Sequence, residues 1–162
     1  MNIVDMLDID RIICNPDTSS KKRVMELLSQ TLSSEYTEIS EAHLFDSLIS
    51  REKLGSTAMG NGVAIPHGRC AKIDRAALAV LKLPKGIDYD APDAEPVDLL
   101  VGLAVPKEAS EEHLKLLATI AEMLSDKKLV TRLRRANSSQ SMFSSLKKWA
   151  KEHTGEASEQ EE

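Results

Sequence analysis

Apolar residues along this chain change their spacing twice, and the changes divide it into helical and extended stretches. Between Ser19 and Ser34, Val24, Leu27, Leu28 and Leu32 are spaced by three, one and four residues, which predicts an amphipathic helix with Thr18 or Ser19 as its N-cap. A second helix is expected after Ser40, with Leu44, Phe45, Leu48 and Ile49 on one face and Gly55 as its C-terminal stop. Ahead of both, Asn2 to Leu7 reads as a short helix and Arg11 to Cys14 as a short strand. Ala76 to Leu83 and Val97 to Val105 are continuous apolar runs, as in strands buried on both faces of a sheet. Pro84 to Pro96 between them holds four acids and three prolines and reads as loop, with a short edge strand as the alternative. Helical spacing then returns. Ser110 is the expected cap of a helix buried through Leu114, Leu117, Ile120, Ala121 and Leu124, followed by helices from about Asp126 to Arg135 and Ser139 to Lys151.

That order predicts a single three-layer α/β/α domain, a mixed central sheet with helices on both faces. The length suits one domain over residues 1–150, with 151–162 as an acidic tail expected to be disordered. There is no run of eighteen apolar residues and no basic-then-apolar leader, so neither membrane insertion nor export is expected. Two cysteines, Cys14 and Cys70, are too few for a disulfide framework or a zinc knuckle, which points to a reducing cytoplasm.

Charge adds a second division. The net formal charge of −5 is the sum of −7 over residues 1–124, +6 over 125–150 and −4 over 151–162. The basic stretch holds Lys127, Lys128, Arg132, Arg134, Arg135, Lys147 and Lys148 against Asp126 alone. Nucleic-acid binding through Lys127, Arg134 and Arg135 is one reading of it. The acidic remainder and a total of five aromatic residues speak for the other reading, a solvated helical face without nucleic acid.

Candidate chemistry is concentrated near residue 67. The segment Gly55-Ser-Thr-Ala-Met-Gly60-Asn61-Gly62 has no helical or strand period and is expected to be a loop of special geometry. It feeds Val63-Ala-Ile65 and then Pro66-His67-Gly68, which places His67 at a strand end, where ligand sites often lie. Neutral imidazole is a good nucleophile near neutral pH when one ring nitrogen is held and the other is free. A structural histidine in a tight turn is the alternative. His113, in the first turn of its helix, could help form an anion site or simply be half-exposed. Arg51 fits a favourable charge at a helix C-terminus, while His43 and His153 read as surface residues. The four histidines show no HxH or HExxH spacing, so no metal site is expected, and a metal-dependent hydrolase would need a third ligand from elsewhere.

Two segments carry a resemblance: Ser50-Arg51-Glu52-Lys53-Leu54-Gly55-Ser56-Thr57, and Gly60-Asn61-Gly62-Val63-Ala64-Ile65-Pro66-His67-Gly68. Together with Pro96-Val97-Asp98-Leu99-Leu100, Val105-Pro106, His113-Leu114 and the Arg-Leu-Arg-Arg of 132–135, they resemble the enzyme IIA domains of the fructose–mannitol type in the bacterial phosphotransferase system, and more closely the nitrogen-regulatory branch. The resemblance covers about residues 3–150. It implies that His67 is phosphorylated on Nε2 by a histidine phosphocarrier charged from phosphoenolpyruvate, without a cofactor. It also implies that Arg51 and His113 flank the phosphate, and that Gly60, Asn61, Gly62 and Gly68 let the donor come close. The implied partners are that phosphocarrier and regulated targets such as potassium-transport or sensor proteins. A sugar-specific enzyme IIA, which hands phosphate to an enzyme IIB, is the nearby alternative.

Overall fold

The computed structural model describes residues 2–108 and 110–153. Its elements in chain order are α1 (Ile3–Met6), β1 (Ile12–Cys14), α2 (Lys21–Ser33), α3 (Glu41–Lys53), β2 (Ala58–Gly60), β3 (Val63–Ala64), β4 (His67–Cys70), β5 (Ala77–Ile87), β6 (Val97–Pro106), α4 (Ser110–Ser125), α5 (Lys127–Arg135) and α6 (Ser139–His153). A 3-10 turn, Ile9–Arg11, leads into β1.

The sheet is mixed. β5 pairs antiparallel with β6 and parallel with β1, while the other side of β6 pairs in parallel with β3 and then β4. Alternation along the two long strands builds two cores. Leu78, Val80, Leu99, Val101, Leu103 and Val105 pack under α1, α4, α5 and α6. Ala77, Ala79, Leu81, Leu83, Leu100 and Ala104 pack under α2 and α3. This is the expected three-layer architecture, with both long strands covered on both faces.

Several local expectations need correction. α2 is capped by Ser20, whose hydroxyl accepts from Arg23 N at 3.2 Å, rather than by Thr18 or Ser19. β5 continues through Pro84 to Ile87, with Pro84 in the irregular stretch between Lys82 and Ile87 where the pairing with β6 shifts register and a missing donor is tolerated. The supposed loop 55–62 contains a hairpin: β2 and β3 are antiparallel, joined at Asn61 and Gly62 with φ of 57° and 80°. Positive φ at both central residues is what a tight two-residue turn requires, and Asn-Gly is the dipeptide that tolerates it best. α4 keeps most of its expected face, since Ile120 and Leu124 are buried and Leu117 and Ala121 pack against the same core, but its first turn differs. His113, Leu116, Ile120, Met123 and Leu124 are buried, whereas Leu114 is 66% exposed. α4 begins at Ser110, so His113 is its fourth residue, and capping by the Ser110 side chain lies outside the described residues. α6 reaches His153, past the expected boundary at 150, and residues 154–162 of the acidic tail also lie outside the described residues. Among the described residues no helix is long and apolar enough to cross a membrane.

Candidate phosphoryl-accepting cleft

β3 and β4 run along one edge of β6 with a break at Ile65-Pro66. Proline has no N–H to give the ladder, and Pro66 O instead accepts from Leu103 N at 3.0 Å. His67 opens β4 opposite Leu103, immediately after the break. Its Nδ1 lies 2.7 Å from Ile65 O. A carbonyl only accepts, so Nδ1 carries the ring hydrogen and Nε2 keeps its lone pair. Burial pushes the His67 pKa below its ordinary 6.5, the Ile65 bond opposes this, and the Arg51 charge adds to the depression. The ring is therefore neutral near pH 7, with Nε2 as the free nucleophile.

A cleft of about 700 Å³ surrounds this ring. α3 contributes His43, Asp46, Ser47, Ser50 and Arg51; β4 contributes His67, Gly68 and Arg69; α4 contributes His113, Leu114 and Leu117. Residues 51, 67 and 113, far apart in sequence, thus share one wall-to-wall space. Arg51 is half-buried, and its Nη1 donates to Gly55 O at 2.9 Å, fixing the guanidinium at the end of α3. His113 is only 2% exposed, and neither ring nitrogen has a hydrogen-bond partner among the described residues. Burial, reinforced by Arg69, depresses its pKa, so it too is neutral. A buried imidazole with an unsatisfied N–H is an incomplete site for an acceptor. Exposed Leu54 (84%) and Leu114 bracket the opening with apolar surface.

Gly68 sets the approach of α3 to β4. A Cβ there would lie 2.9 Å from the Ser47 carbonyl carbon and 2.9 Å from Ser47 Cβ, so glycine alone fits. Gly68→Ala is expected to destabilise the fold by about 1–3 kcal/mol by pushing α3 away from β4, which urea unfolding measures.

Gly60, Asn61 and Gly62 do not line the cleft. Gly62 O accepts from Asp98 N and His67 pairs with Leu103, so the turn sits some five residues back along β6, roughly 16 Å away at ~3.3 Å per residue. There Arg134 clamps it: Nη2 donates to Asn61 O at 2.6 Å, while Nε and Nη2 hold Asp98 at 3.0 and 2.9 Å. The glycines serve the hairpin, and Arg134 is occupied rather than free for phosphate contacts. His43 lies exposed on the cleft rim. His153 stacks on Trp149 with ring centroids 4.5 Å apart. Among the described residues no group of three or more His, Cys, Asp or Glu could hold a metal ion.

Two features escaped the sequence. Arg69 stands two residues beyond His67, on the same face of β4, and is exposed in the cleft; strand alternation was the available signal. Behind Arg51 lies a buried polar network with no local signature. Glu52 Oε2 meets Lys21 Nζ at 3.0 Å and accepts from Thr57 N at 3.1 Å, while Oε1 accepts from Thr57 Oγ1 at 2.5 Å and from Tyr89 OH at 3.2 Å. It ties the C-terminal end of α3 to the strand that follows.

Comparison with known proteins agrees with this geometry. Residues 5–149 match the family described as phosphoenolpyruvate-dependent sugar phosphotransferase system, EIIA 2. The nitrogen regulatory protein of Pseudomonas aeruginosa is 41% identical over 143 residues, covering 88% of this chain and 93% of that protein. The crystal structure of nitrogen regulatory protein IIA-Ntr from Neisseria meningitidis superposes with a TM-score of 0.84 at 38% identity, over 89% of this chain and 98% of that one. Enzyme IIA for mannitol from Escherichia coli, solved in complex with its phosphorylated enzyme IIB, shares the fold at 17% identity with a TM-score of 0.72, over 86% of this chain and 96% of that one. The chain belongs to the EIIA 2 family of the phosphoenolpyruvate-dependent phosphotransferase system, and within it fits the nitrogen-regulatory enzymes IIA.

Proposed function

We propose that His67 accepts a phosphoryl group on Nε2 from a histidine phosphocarrier in the cytoplasm, and that the phosphorylation state of the cleft then controls partner proteins in nitrogen, potassium or stress regulation. The supporting observation is the meeting of His67, Arg51 and His113 in one cleft, with His67 Nδ1 held and Nε2 free. In the transfer, the donor's P–N bond breaks as Nε2 bonds to phosphorus, and the donor leaves as neutral imidazole. The His67 ring gains positive character, which Ile65 O stabilises through the Nδ1 hydrogen. Arg51 and a ring N–H of His113 receive charge on the phosphoryl oxygens. Nucleophile and leaving group are alike, so alignment and charge neutralisation suffice. The leucines beside the opening suit a protein donor rather than a small molecule.

The test is incubation with a histidine phosphocarrier, enzyme I and phosphoenolpyruvate. Acid-labile phosphate on His67 is expected, and an unlabelled chain would overturn the proposal. Because the His67 pKa is depressed, the acceptance rate should reach half its plateau only below pH 6.5, where an ordinary histidine is half protonated. A rate already halved at pH 6.5 would contradict that assignment. A second reading, phosphate passed on to an enzyme IIB, draws on the mannitol enzyme's shared fold; transfer from phosphorylated His67 to a purified enzyme IIB would favour it.

A further inference from the structure

Away from the cleft, α5 and α6 form a groove of about 330 Å³, lined among others by Lys128, Arg132, Lys148, Trp149 and His153. Among the described residues, none of Lys127, Lys128, Arg132, Arg135, Lys148 and Lys151 forms an ion pair. All six are exposed. Two carboxylates stand in the groove, Asp126 and Glu152. Asp126 is committed elsewhere: it caps α5 through Lys128 N and Leu129 N, and accepts from Trp149 Nε1 at 2.9 Å. The groove therefore presents cations with little to neutralise them.

Its complement lies in the same sequence. Residues 154–162 contain Glu156, Glu159, Glu161 and Glu162 and no basic residue. They follow directly on His153, itself part of the groove wall. Nine residues span up to ~30 Å when extended, more than enough to cross it. Exposed ion pairs are individually weak, but a tether of this length holds the carboxylates at an effective concentration in the millimolar range. The C-terminal end of α6 repels carboxylates, and the N-terminal end of α5 attracts them, which favours the same direction.

We propose that the α5–α6 groove is an acidic-peptide site whose occupant is the chain's own segment 154–162. Bound in cis, the segment neutralises the basic face. Acidic partners must compete for it.

The test uses the full chain, with Glu156, Glu159, Glu161 and Glu162 all changed to Gln. Trp149 is the single tryptophan, so its indole N–H resonance reports on the groove without ambiguity. Neutralising the four glutamates is expected to shift that resonance and the amides of Lys128 and Arg132, more than twenty residues away in sequence. High salt should produce the same shifts in the native chain. Conversely, Arg132→Gln with Lys148→Gln should shift the amides of 156–162. Changes confined to residues 151–162 in the first experiment would overturn the proposal. So would duplex DNA shifting the Trp149 resonance of the native chain at physiological ionic strength, since the basic face would then not be neutralised.

Discussion

His67→Ala is expected to reduce phosphoryl acceptance to background, a loss of at least about 10³-fold. No other imidazole in the cleft is expected to substitute, since His113 is 2% exposed and closed to a protein donor, while His43 is on the rim. The variant should fold normally, because the ring's one hydrogen bond within the described residues is to Ile65 O, a carbonyl at the cleft wall that water can reach once the ring is gone. Labelling with phosphoenolpyruvate, enzyme I and phosphocarrier provides the measurement, with circular dichroism as the folding control. Undiminished labelling of this variant would remove both the regulatory and the sugar-transfer readings, since each passes phosphate through His67.

Glu52→Ala is expected to have the largest effect on stability, about 2–4 kcal/mol. It leaves Lys21 beside the Tyr89 ring without its counter-ion and strips the acceptor from Thr57 and Tyr89 in a buried setting. Lys21 retains Tyr89 O at 2.8 Å and some solvent contact, which limits the loss. Burial alone would raise the Glu52 pKa; the bonds from Thr57 and Lys21 outweigh it and hold the carboxyl below its ordinary 4.5. A depressed carboxylate stabilises the fold fully above that ordinary value and ceases to as pH falls through the lower folded value. Native protein should therefore lose stability across that acid window, and Glu52→Gln should lose less there. Urea midpoints measured from pH 6 downward would reveal it. Because Glu52 adjoins Arg51, phosphoryl acceptance should weaken as well.

Where pattern and structure agree, the physics is local. Helices α2, α3, α5 and α6 follow from apolar spacing and side-chain caps that act within three residues of their targets. The buried strands β5 and β6 follow from continuous apolar runs that only a doubly covered sheet can hide. Even the missed Asn61-Gly62 hairpin was locally encoded. The first turn of α4 was not. An exposed leucine at 114 counts as core in any periodicity, and an inward histidine at 113 counts as surface, because spacing cannot tell a core from a cleft rim.

The sequence by itself determined the order of the main helices and of the two long strands, the three-layer class and, through the residues around His67, the family. Only the tertiary structure decided which residues share the cleft. It brought His113 across from α4, added Arg69, and moved Gly60, Asn61 and Gly62 to the far end of β6 under Arg134. It also set Glu52, Lys21 and Tyr89 behind Arg51. The reason is geometric: propensity and capping act over a few residues, whereas a site is a set of distances fixed by strand register and helix packing between segments far apart in the chain.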